Sequence, residues 1–165
     1  MSVAAVAREQ DPPTTQHYQR ILLASEGRPI PDAALERVVA MARFSGASVH
    51  VLSIARVHGV AFGLPNPGLL PTKREWDEQR EIVRKAVARL RRKKIDADGH
   101  VLGTRNASKR IVEEAERERC DVIVMGADPS RNRLAGNVMW TQEPQRVSRR
   151  AKLPVVLVTD PPSGR

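Results

Sequence analysis

Aromatic side chains are nearly missing from this 165-residue chain: two Phe, two Trp and one Tyr make up 3% of it. Its core must therefore be packed from Val, Leu, Ile and Ala. A single-stranded nucleic-acid platform, which stacks bases on interleaved aromatics, is disfavoured for the same reason. The lone cysteine, Cys120, excludes an internal disulfide and points to a reducing compartment. No apolar run approaches the length a membrane span needs. The opening MSVAAVAREQDPPTTQ has neither the basic start nor the apolar stretch of a secretion signal. The expected setting is the cytoplasm, away from any membrane.

Positive charge, by contrast, is plentiful. Lys and Arg outnumber Asp and Glu by 28 to 19, a formal charge of +9, which raises phosphate ligands, nucleic acid and anionic surfaces as partners. Much of it falls in RKAVARLRRKK (84–94), RNASKR and RVSRRAK. These segments also carry apolar residues at helical spacing, so the charges read as solvated faces of amphipathic helices rather than as a nucleic-acid surface.

Hydrophobic periodicity divides the chain into alternating strands and helices. QRILLAS (19–25) is a continuous apolar run, the pattern of a strand buried on both faces. Leu35, Val38, Val39, Met41 and Ala42 define a helix between Asp32 and Ser45, stopped by Gly46. SVHVLSIA (48–55) is a second strand, and HGVAFGLPNPGLLP (58–71) a loop, either a lid or a connection. Thr72 and Glu75 form a capping box for a helix whose inner face is Gln79, Ile82, Val83, Ala86, Val87 and Leu90. A weaker strand runs from Ala97 to Leu102 and ends at Gly103. Asn106 caps the helix ASKRIVEEAERER, DVIVMG (121–126) is the strongest strand signal, and Thr141 caps a last helix that tolerates Pro144 in its first turn. KLPVVLV is the fifth strand. Residues 1–17 and 160–165 read as tails, the first disordered, around one domain at 18–159.

This alternation predicts an α/β fold, an open doubly wound five-stranded parallel sheet with helices on both faces. Ligands of such sheets bind outside the carboxyl ends of the strands, at the switch point. That directs attention to Ser25–Arg28, Ile54–His58 and the segment from Gly126 onward.

Three segments carry a family likeness. YQRILLASEGRPIPDAALERVVAMARFSGASVHVLSI resembles the opening of a universal stress protein domain. VLGTRNASKRIVEEAERERCDVIVMGA resembles that family's third strand, helix and fourth strand, and RVSRRAKLPVVLV its last helix and strand. The resemblance implies a Rossmann-like sheet, a role in stress response, and a homodimer pairing the last strands, here Pro154 to Val158. It also implies ATP with Mg²⁺ as the ligand of those members that keep the motif G-x2-G-x9-G followed by Ser or Thr.

The motif is altered here. Gly126 matches its first glycine, but Pro129 stands at the second and Met139 and Trp140 at the third glycine and the hydroxyl. With a short insertion, Thr141 takes the hydroxyl position, while Gly136 and Asn137 supply a flexible turn and a donor, and Arg131 and Arg133 add cations. A structural loop covered by Trp140 is the other reading. Glu26 stands where the family carries Asp towards the adenosine, after Ser25. Arg28 beside it either flanks a nucleotide or fills the cleft by pairing with Glu26. Ile54 and Met125 sit where relatives meet the base, or are core. Asp128 is a Mg²⁺ ligand beside a phosphate or, better, half of an Asp-Pro turn.

Little else suggests chemistry. His17, His50, His58 and His100 have no metal-ligand spacing, so no metal site is expected. Cys120 reads as packing. No nucleophile–base pair is evident, so binding without robust catalysis is the expectation, with a non-nucleotide interaction protein acting through its dimer and basic surface as the alternative.

Overall fold

The computed structural model describes residues 16–56, 60–61, 64–65, 71–127 and 143–159. Its strands are β1 (Arg20–Ser25), β2 (Ser48–Arg56), β3 (Val60–Ala61), β4 (Leu64–Pro65), β5 (Ala97–Thr104), β6 (Val122–Gly126) and β7 (Val155–Val158). Its helices are α1 (Asp32–Ser45), α2 (Lys73–Arg92), α3 (Ala107–Arg117) and α4 (Glu143–Arg150). Five strands form one sheet in the order β5-β2-β1-β6-β7, and every neighbouring pair in it is parallel. This is the doubly wound architecture the alternation predicts.

Side-chain alternation along the strands divides the core in two. Ile21 and Leu23 of β1, Val49 and Val51 of β2, and Val122 and Val124 of β6 pack with α1 and α2. Leu22 and Ala24, Leu52 and Ile54, and Ile123 and Met125 pack on the other face with α3 and α4. The central strands thus bury both faces, which is why they read as unbroken apolar runs.

Helix boundaries follow local chemistry. Thr72 Oγ1 accepts the Glu75 N–H at 3.1 Å, as the capping box requires, and Asn106 Oδ1 accepts that of Lys109 at 3.2 Å. The inner face of α2 is as expected, with Gln79, Val83, Ala86 and Leu90 buried and Ile82 and Val87 half-buried.

Several boundaries differ from expectation. β2 runs one residue further, to Arg56. β5 runs through Gly103 to Thr104. Gly103 does not stop the strand: a Cβ there would lie 3.0 Å from Trp76 Cζ2, so the residue is small to admit the indole. The stretch 58–71 is not wholly irregular, since β3 and β4 pair antiparallel within it. The last strand is shorter than KLPVVLV, beginning at Val155.

The basic run on α2 is largely tied into the fold. Arg84 pairs with Glu81, while Arg89 reaches across to Asp32 and Glu36 of α1 at 2.6 and 2.9 Å. Arg91 donates to the Ala97 carbonyl at 2.9 Å. Cys120 is buried, and burial pushes its thiol up to about 12, which suits packing rather than nucleophilic work. No helix among the described residues is long and apolar enough to cross a membrane.

Candidate functional site at the switch point

The sheet order reverses at β1: β2 leaves it on one side and β6 on the other. The crevice beyond the carboxyl ends of β1 and β6 is therefore where such a fold offers a ligand site. Ser25, Glu26 and Gly126 converge there.

The turn after β1 is held from three directions. Ser25 Oγ donates to the Arg28 carbonyl and accepts the Gly27 N–H at 3.2 Å, closing the turn on itself. Gly27 has φ 117°, in the region where only glycine is at ease. From β2, Arg56 Nε donates to the Glu26 carbonyl at 2.8 Å. From α2, Gln79 Nε2 donates to the Gly27 carbonyl at 3.0 Å, with its own Oε1 held by Ser53 Oγ. A turn fixed in this way presents its side chains without reorganisation.

Glu26 is 2% exposed, and its carboxylate pairs directly with Arg28 Nε. Burial raises its pKa above the usual carboxylate value, although Arg28 and Arg56 pull the other way. Burial likewise lowers the pKa of Arg56, against the pull of Glu143 and Glu26, and the neighbouring Arg28 and Arg146 add to the lowering. Glu143, the first residue of α4, is buried and accepts from Arg146 at 3.0 Å. Three guanidinium groups and two carboxylates thus gather where β1, β2 and α4 meet. An excess of cation around a buried acceptor suits a ligand that carries hydroxyl or amine donors at one end and negative charge at the other.

Gly126 ends β6, and packing by itself already requires it to be small. A Cβ there would lie 2.5 Å from Pro31 Cγ, the residue that opens α1. Ile54 and Met125 are both fully buried, in the core facing α3 and α4. Asp128, Gly136, Asn137 and Thr141, with Pro129, Arg131, Arg133, Met139 and Trp140, lie outside the described residues.

Arg56, Gln79 and Glu143 went unnoticed as site residues in the sequence. For Arg56 a signal existed, since strand alternation places residue 56 on the face of Ile54, at the mouth of the crevice. Gln79 stood out only as a polar residue on an apolar helical face. A groove of about 620 Å³ runs along the edge strand β5, bordered by Trp76, Arg80, Arg84 and His100.

Comparison with known proteins agrees with this architecture. A search of curated protein sequences gives no match. Among solved structures, a universal stress protein family member from Burkholderia pseudomallei superposes with a TM-score of 0.63 at 19% identity, covering 86% of this chain and 96% of that one. The universal stress protein of Archaeoglobus fulgidus, solved in complex with dAMP, gives 0.61 at 21% identity, covering 86% and 98%. An Arabidopsis thaliana member with AMP bound gives 0.55 at 13% identity, covering 87% and 93%. At these identities the likeness is one of fold. The profile of the Universal stress protein family matches residues 17–159, nearly the whole chain, and the protein belongs to that family.

Proposed function

We propose that the protein is a dimeric, cytoplasmic stress-response protein that binds adenine nucleotide, ATP with Mg²⁺, at the switch point and does not turn it over robustly. The observation that carries this reading is the buried Glu26 carboxylate at the end of β1, backed by Arg28 and Arg56. A fixed acceptor meets the donors of a base or ribose, and the adjoining cations suit phosphate. The similar structures that hold dAMP and AMP support the ligand class. In this reading Gly126, Asp128, Gly136, Asn137 and Thr141 serve the phosphate side. Among the described crevice groups the Ser25 hydroxyl donates to the Arg28 carbonyl rather than to a base, which favours binding over chemistry. For the dimer, the support is β7: it is the outer strand of the sheet, wholly apolar and only half-buried.

The test is calorimetric titration of ATP with Mg²⁺ into the purified protein, after analysis of any nucleotide it retains. Micromolar binding, weakened in Arg56→Ala and lost in Glu26→Ala and Thr141→Val, is the expected result. No uptake by folded protein would overturn it.

A second reading rests on the direct Glu26–Arg28 pair, which supplies the carboxylate with a cation of the chain's own. The crevice is then closed, and the protein acts through its dimer and basic surface. In that case Arg28→Ala acquires nucleotide binding that the natural chain lacks.

A further inference from the structure

Two of the histidines that look scattered in the sequence, His50 and His100, meet in the fold. Pairing of β2 with β5 sets His50 against Asp98 and Leu52 against His100, so the two imidazoles are diagonal neighbours. Their ring centroids lie 5.0 Å apart. Both are on the face covered by α3, which lowers Glu114 onto them. Glu114 Oε1 lies 3.0 Å from His100 Nε2 and 3.5 Å from His50 Nε2. His50 and Glu114 are each 3% exposed.

We propose that His50 Nε2, His100 Nε2 and Glu114 Oε1 form a site for a divalent transition-metal ion of the zinc class, separate from the switch-point crevice and independent of what binds there.

Three features carry it. The first is the orientation of His50. Its Nδ1 lies 2.8 Å from Asp98 Oδ1, a carboxylate acceptor that favours the tautomer with the proton on Nδ1 and Nε2 turned to the site as a ligand. That is the arrangement in which a second carboxylate orients and strengthens a ligating imidazole. Nε2 itself is buried and has no hydrogen-bond partner among the described residues. A lone pair facing a buried carboxylate oxygen is unfavourable, and a metal ion between them relieves the repulsion as a shared proton would.

The second feature is spacing. Tetrahedral zinc with bonds of about 2.0–2.1 Å separates its ligand atoms by about 3.3 Å. The two carboxylate–imidazole distances bracket that value, and all three ligand atoms fall within 4.8 Å of one another. Two imidazoles and one carboxylate are a known zinc donor set that leaves a fourth position for water.

The third is access. Arg117 Nη2 now lies 2.7 Å from Glu114 Oε1 and 3.4 Å from His100 Nε2, where a cation is wanted. Its side chain is 64% exposed and can withdraw. His100 also borders the groove along β5, which gives an ion a route in. The neighbouring group of His50, Asp98 and Glu118 offers no rival site, because Arg20 already bonds both of its carboxylates.

The experiment is titration of zinc chloride into the metal-stripped full-length protein, with Co²⁺ as a visible-absorption probe of tetrahedral coordination. The natural chain takes up one high-affinity ion and gives the cobalt spectrum; His100→Ala, changed at a partly exposed ring, gives neither. Asp98→Ala, exposed and not itself a ligand, weakens binding by about 10–100-fold. Arg117→Ala binds as tightly or more tightly, which a merely structural ion-pair cluster would not produce. Absence of high-affinity uptake overturns the proposal. So does uptake that survives His100→Ala and Asp98→Ala, which would place the ion elsewhere, and so does weaker uptake in Arg117→Ala. Should His100→Ala fail to fold, Asp98→Ala and Arg117→Ala decide the matter.

Discussion

Gly126 and Pro31 are packed so closely that a side chain at one excludes the ring of the other: a Cβ on Gly126 would fall 2.5 Å from Pro31 Cγ and 2.6 Å from Cδ. Overpacking of this kind costs roughly 1–3 kcal/mol, so Gly126→Ala is expected to lower stability by that amount in urea denaturation. The Pro31 Cβ, by contrast, would lie 3.8 Å away, an ordinary contact. Pro31→Ala should therefore absorb most of the loss in the double variant. If the two changes add independently, the clash is not the reason for this glycine.

Glu26 makes a prediction about acid. Burial raises its pKa in the folded protein above the usual 4.5. Between the two values the folded state holds the proton more firmly, so this group's contribution is full below about pH 4.5 and is lost as pH rises through the folded value. Glu26→Gln keeps the side-chain shape and cannot ionise. Its stability relative to the natural protein should grow with pH above 4.5, as read from urea midpoints at a series of pH values. A difference that stays flat with pH would show that Arg28 and Arg56 offset burial fully.

The exposed edge of β7 can be tested without touching the core. Ile123 N–H donates to the Pro154 carbonyl and Ala127 N–H to that of Val158, so alternate β7 residues bond inward. Val155 and Leu157 consequently turn their backbone groups to the free edge. Val155→Pro removes an outward N–H at little cost to the sheet, since proline is tolerated on edges. If β7 pairs two copies, light scattering should report a dimer for the natural chain and a monomer for Val155→Pro. A natural chain that is monomeric would remove the strand from consideration.

Cys120 should be chemically quiet. With its thiol pushed up to about 12 by burial, the thiolate is scarce at neutral pH. Modification by a thiol reagent at pH 8 should run on the order of a thousandfold slower than in the unfolded chain. Rapid labelling of native protein would mean that the end of α3 opens readily.

The fold was largely legible because its signals are local. The apolar runs of β1 and β6, the Thr72 cap and the buried stripe of α2 each follow from neighbouring residues alone. The likeness to the stress-protein family supplied the order of the elements. Less legible were features that exist only after strands pair. Gly103 looked like a stop because its small size serves Trp76, a residue on a different element. Gly126 matched the first glycine of a phosphate motif, and its packing against Pro31 was invisible because the two lie on different elements. His50 and His100 have no suggestive spacing, since it is the β2–β5 register and the descent of α3 that join them. Arg56 fell within the Ile54–His58 segment but was not singled out there, because its partners, the Glu26 carbonyl and Glu143, lie far off along the chain.

The central place of β1 bears on how the chain folds during synthesis. Its partner on one side, β2, follows after a single helix, but on the other side Ile21 must wait for Val122. A nascent chain ending before β6 can therefore assemble β1, β2 and β5 with α1 and α2, while one full edge of a strand with an apolar centre, Ile21–Ala24, stays unpaired. Such an edge is a template for mispairing with other chains. Truncations upstream of residue 122 should consequently be insoluble or bound by chaperones, and chains extended through DVIVMG should regain solubility as that edge of β1 is paired.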